Sequence, residues 1–162
     1  MLPKWNFRPE VTAHLLNPAF STRVLGACIR AHNGESNTKM PFELTFIILP
    51  FILSSRIRER LPSRKGWPIH KWASENEDIK IGLPRLIKGY VPFTREAIFF
   101  GMVHNTLFIS TEGLLDASKI QKEVDSENEE IADCLRKSAA LGRNLARSGT
   151  PSTIYSILGI RP

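Results

Sequence analysis

Residues 41–62, PFELTFIILPFILSSRIRERLP, constrain this chain more than any other stretch. Its apolar run, from Leu44 to Leu53, is broken only by Thr45 and Pro50, and Arg56, Arg58 and Arg60 follow at once. A membrane-spanning helix needs about 20 apolar residues, and this run has about half of that, so no membrane association is expected. A helix apolar on every side belongs in the centre of a core. The expectation is therefore a buried helix that Pro50 kinks or divides, because proline removes a backbone donor and crowds the preceding turn. RIRER is expected to be its exposed end.

The rest of the chain supplies partners for such a helix. Asn17-Pro18 reads as a cap followed by proline at the first helical position, and Phe20, Val24, Leu25, Cys28, Ile29 and Ala31 then recur at helical spacing. HNGESNTKMP, residues 32–41, is expected to end that helix. Pro62, Gly66 and Pro68 mark a loop, and a short helix with Ile69 and Trp72 on one face follows. Pro84 and Pro92 argue against one straight helix through 79–93. The next helix is expected to begin at Thr94 as N-cap, with Phe93 and Ile98 as a hydrophobic staple, and to bury Ile98, Phe99, Met102 and Val103.

After residue 105 the period changes. Thr106–Ile109 and Leu114–Asp116 flank a turn containing Gly113, the pattern of a β-hairpin. A core helix leading straight into a hairpin is how a winged helix ends. Residues 118–127 read as a polar loop. Ser126 and Glu129 have capping-box spacing. The helix beyond carries Ile131, Cys134, Leu135, Ser138, Leu141, Gly142 and Leu145 on one face, with small residues that let another helix come close. Gly149 stops it, and Thr150-Pro151 starts a last short helix ending at Gly159. The fold class expected is mainly α with a small β-hairpin, a winged-helix-like helical domain. A single domain over 1–162 is expected, with helical residues up to about 90, a winged-helix-like part over about 91–120 and C-terminal helices over about 127–162.

No set of residues with catalytic spacing emerges. His14, His32, His70 and His104 have no partner at metal-ligand spacing, and no phosphate-binding glycine loop occurs. His104 reads as a cap or core histidine. Glu75, Glu77 and Asp78 read as a solvated helix end, and Glu127, Glu129 and Glu130 as acids favoured at a helix N-terminus. Cys28 and Cys134 sit among apolar residues and read as buried thiols of a cytoplasmic protein. No catalytic residue, metal or cofactor is expected, and residues 1–10 do not read as a signal peptide.

The net charge of +6 is uneven. Residues 1–80 hold 12 Lys and Arg against 7 Asp and Glu, whereas residues 119–135 hold 2 against 6. Arg56, Arg58, Arg60, Arg64 and Lys65 form the one dense basic cluster, offset only by Glu59. It reads either as a solvated helix end or as a contact for DNA phosphates or an acidic partner. Reversing Arg56, Arg58 and Arg60 to Glu is expected to spare the fold and weaken binding.

Taken in order, LLNPAF (15–20), MPFELTFIILPFIL (40–53), RERLP (58–62), the Trp72 helix, YVPFTREAIFFG (90–101) and CLRKSAALGRNLARSGTPSTIYSILGIRP (134–162) resemble the middle component of bacterial three-component ABC systems. The resemblance covers nearly the whole chain. It implies a non-enzymatic subunit between an SMC/RecN-like ABC ATPase and an effector, often a nuclease. It further implies a part in defence against phage or plasmids, as in Lamassu-type systems, and a likeness to winged-helix accessory subunits of SMC complexes. It transfers no catalytic residue. The competing expectation is a free-standing winged-helix DNA-binding regulator. An enzyme with an unrecognised site, through His70 or His104, is the third.

Overall fold

A computed structural model describes residues 2–4, 7–8, 16–64, 66–118 and 128–161. Helix α1, Pro18–Glu35, begins as its sequence implies: the Asn17 side chain accepts the Ala19 N–H at 2.9 Å, and proline occupies the first turn. It does not stop at His32. It runs on through Asn33 and Gly34 to Glu35. One helical glycine costs about 1 kcal/mol relative to alanine, and Asn33 offsets this with tertiary bonds. Its Nδ2 donates to the Leu115 carbonyl at 2.9 Å, and its Oδ1 accepts the Met40 N–H at 2.8 Å.

That bond leads into strand β1, Met40–Pro41, then a 3-10 turn at Phe42–Leu44 and the central helix α2, Thr45–Leu53. Ile47, Ile48, Leu49, Phe51 and Ile52 of α2 are wholly buried. Pro50 lies inside α2, and the division comes later, at Ser54, whose extended backbone separates α2 from the single turn α3, Ser55–Arg58. The short helix α4, Ile69–Glu75, buries Ile69 and Trp72, with the Trp72 and Phe51 rings 5.2 Å apart.

The largest departure from expectation is α5, a 27-residue helix, Glu77–Val103, that contains both Pro84 and Pro92. Each proline removes a helical hydrogen bond and costs about 3 kcal/mol relative to alanine. Burial of Ile79, Leu83, Ile87, Thr94, Ala97, Ile98 and Gly101 along one face outweighs that cost. The carbonyls left without a partner, those of Lys80 and Lys88, belong to residues that reach solvent. Thr94 is consequently no N-cap: it is mid-helix and fully buried. The same continuous period turns Phe99, Met102 and Val103 outward, 69%, 45% and 60% exposed, where burial was expected.

Among the described residues three short strands form one antiparallel sheet in the order β1-β3-β2, with β2 at Leu107–Ile109 and β3 at Leu114–Ala117. The expected hairpin is present, with Phe108 opposite Asp116 and Gly113 at φ 73° in its turn. Strand β1 adds Met40 opposite Leu115. The sheet joins α5 closely at Gly101, where a Cβ would lie 2.6 Å from Leu107 and 2.9 Å from Thr22.

Helix α6, Glu129–Arg147, packs along α1. Its start is capped by Asn128, whose side chain accepts the Glu130 N–H at 3.0 Å and the Ile131 N–H at 3.4 Å. Ser126 lies outside the described residues. The small residues act as expected: Ser138 donates to the Val24 carbonyl at 2.7 Å, and a Cβ on Gly142 would collide with the Cys28 carbonyl. Gly149, at φ 94°, ends the segment, and Thr150 caps the short α7, Pro151–Ile157. One hydrophobic cluster runs from Val24 to Leu158 and draws on every layer. No helix among the described residues is long and apolar enough to cross a membrane.

Candidate partner-binding surface

The basic cluster does not form the single exposed edge that its sequence suggests. Arg58 is buried. Its guanidinium donates to the Ile52 carbonyl at 2.8 Å, at the C-terminal end of α2 where carbonyls lack helical partners. It also donates to Glu130 at 2.8 Å and stands 3.5 Å from Asp133. The Arg58 carbonyl accepts from Lys137 at 2.6 Å. Arg58 is thus a rivet between α3 and the first turns of α6.

Arg56 and Arg60 remain exposed and converge on one acid. Arg56 meets Asp78 at 2.9 Å, and Arg60 meets it at 2.8 Å. These hydrogen bonds, Arg56 first and then Arg60, hold the Asp78 carboxyl below the usual carboxylate range. Arg64 is exposed, and Lys65 lies outside the described residues. Asp78, read as part of a solvated helix end, and Glu130, read as an acid at a helix N-terminus, are therefore among the acids that neutralise the cluster, with Asp133.

Cations without such partners lie on α5 instead. Arg85, Lys88 and Arg95 are exposed, and no hydrogen bond or ion pair holds any of them among the described residues. Beyond its first turn α5 has one carboxylate, Glu96. Arg8 engages that group with both guanidinium nitrogens, at 2.8 and 2.5 Å. At 100° per residue, Arg85, Lys88, Arg95, Phe99, Met102 and Val103 fall within an arc about 100° wide on the solvent side of the helix. Exposed Ile81 lies on the same line, and Phe108 on β2 is exposed as well. Beside the stripe, Gly82, Leu86, Gly89, Tyr90 and Phe93 help line a shallow groove of about 460 Å³.

The breaks expected at Pro84 and Pro92 conceal this face in the sequence. Carrying the Leu83–Ile87 period through Pro92 would have placed Phe99 outside. His104 closes α5 as an exposed C-cap residue, its ring 4.2 Å from that of Phe100. His70 is exposed, and His14 lies outside the described residues. His32 is buried, and burial pulls its imidazole below its ordinary value.

Cys28 and Cys134 are both buried free thiols. Burial raises each thiol above its ordinary value, which disfavours the thiolate. Among the described residues no three His, Cys, Asp or Glu side chains are grouped to share a metal ion.

The face offers exposed apolar surface and uncompensated positive charge, the means of binding a macromolecule. No curated protein and no solved structure is significantly similar to the chain. The family model described as "ABC-three component (ABC-3C) system Middle Component 3" matches residues 5–162, a span that takes in every helix and strand described above, and the chain belongs to that family.

Proposed function

We propose that this protein is a non-catalytic adaptor subunit of its three-component system. In this reading it holds an SMC/RecN-like ABC ATPase to an effector, a nuclease in some systems, in cytoplasmic defence of the Lamassu type against phage or plasmids. Membership of a middle-component family supports the adaptor role. The observation that carries it is the outward apolar end of α5, with Phe99 and Val103 largely exposed. A monomer gains nothing from such surface, and a partner does. The test is co-expression with the other two components of the system, followed by size-exclusion chromatography at low salt. Co-elution with the ATPase is expected, and separate elution of all three would sink the adaptor reading.

A second reading has its own support. The order α1, β1, α2, the short α3 and α4, α5 and then the β2–β3 hairpin, with sheet order β1-β3-β2, supports a winged-helix-like reading. Exposed Arg85, Lys88, Arg95 and Arg64 would suit a duplex, either through the assembled complex or in a free-standing regulator. A regulator of that kind would bind duplex DNA alone. Its affinity would fall steeply with salt as neutralised phosphates release counterions. A flat salt response would dismiss it.

A further inference from the structure

We propose that the solvent-facing stripe of α5 docks a helix from another component of the system, one whose contact side is apolar at one end and acidic along the rest. This inference rests on the adaptor reading and gives it a surface. The stripe from Arg85 to Val103 is about 27 Å long at 1.5 Å per residue, the length of a helix of moderate size. Its first part presents Arg85, Lys88 and Arg95, each exposed and without a partner among the described residues. Its last turn presents Phe99, Met102 and Val103, at 69%, 45% and 60% exposure.

Charge complementarity fixes the chemistry of the occupant. The nearest carboxylate on the helix, Glu96, is held by Arg8, so the three cations meet no acid among the described residues. This contrasts with Arg56, Arg58 and Arg60, each of which has an intramolecular acid. A second copy of this chain docked through the same stripe would bring the same cations with no carboxylate to oppose them. A nucleic-acid backbone would satisfy the cations and leave Phe99, Met102 and Val103 in water. An amphipathic helix with acids at one end of its contact side and aliphatic or aromatic residues at the other satisfies both parts.

The experiment uses the full chain, co-expressed with the other two components, and measures affinity for each. Two variants are compared with wild type: Phe99→Asp with Met102→Asp, and Arg85→Glu with Lys88→Glu and Arg95→Glu. Each changes only exposed side chains, so thermal midpoints should match wild type. Loss of anchor side chains at a docking surface is expected to weaken binding about 30-fold or more. The charge reversal is expected to weaken it in a way that added salt diminishes. Hydrogen exchange on the wild-type complex supplies a readout free of folding effects, with protection expected over residues 95–103. Wild-type affinity in both variants overturns the proposal, and so does absence of protection there. It is also overturned if the variants lose duplex DNA while keeping the components, or if Phe99→Asp splits a dimer of this chain. Failure of wild type to bind either component is the separate result that removes the adaptor reading itself.

Discussion

Arg56, Arg58 and Arg60 are alike in type and differ only in spacing, yet their fates diverge. Arg58 is drawn in because Ile52 leaves an unpaired carbonyl at the end of α2 and because Glu130 and Asp133 arrive from far along the chain. Nothing local marks it out, so the sequence led to one exposed cluster of equal members. The expectation that reversing all three would spare the fold is corrected by this burial. Arg58→Glu would set a carboxylate beside two others with no cation between them. Arg58→Ala, which only removes the donor, is expected to lower stability by about 2–3 kcal/mol, since it strands a buried carbonyl and takes from Asp133 one of its two cations, the other being Arg136. Arg56→Ala, at an exposed pair, is expected to leave the unfolding midpoint unchanged. Urea denaturation of the two variants side by side distinguishes them, and equal midpoints would contradict the rivet.

At the scale of elements, local signals were legible where local chemistry decides the outcome. Asn17-Pro18 and Thr150-Pro151 start helices, Gly149 stops one, and Gly113 turns the hairpin, each through bonds or dihedrals within a few residues. Helix α5 was illegible for the opposite reason. Its prolines carry a true local penalty, and the compensation is tertiary: Thr22 of α1 donates to the Ala97 carbonyl at 2.7 Å, and Leu83, Ile87 and Ile98 enter the common core. The penalty should therefore still be present, stored in the folded state. Pro84 is exposed, so Pro84→Ala should restore one helical bond without disturbing packing. A gain of about 1–2 kcal/mol is expected, less than the full helix-interior difference because alanine also frees the unfolded chain. A loss of stability on denaturant titration would mean that the helix needs the bend.

At the scale of the molecule, the core joins the two ends of the chain. Helix α6 lies along α1 so closely that the backbone of Gly142 abuts Cys28, and Leu141, Leu145, Ile154 and Leu158 complete a cluster begun at Val24. Contacts at such separations cannot be read from periodicity, which reports which face is buried and not against what. The same limit hid the exposed face of α5, which turns its stripe outward only because α1, α2 and β2 claim its other side. The stretches up to about 90, over about 91–120 and over about 127–162 share the one hydrophobic cluster and are therefore expected not to stand alone. A chain ended at Ser118 retains α1 through β3 but strips from α1 the helix packed along it, taking Ser138 from Val24 and Gly142 from Cys28. Apolar burial on that scale decides whether a small domain folds, because net stability is only a narrow excess over the entropy cost. The truncated chain is therefore expected to melt without a cooperative transition and to bind a hydrophobic dye, whereas the intact protein melts sharply. A sharp transition in the truncated chain would make α6 and α7 an addition to a core already complete. The stripe on α5 would then be a property of residues 16–118 alone.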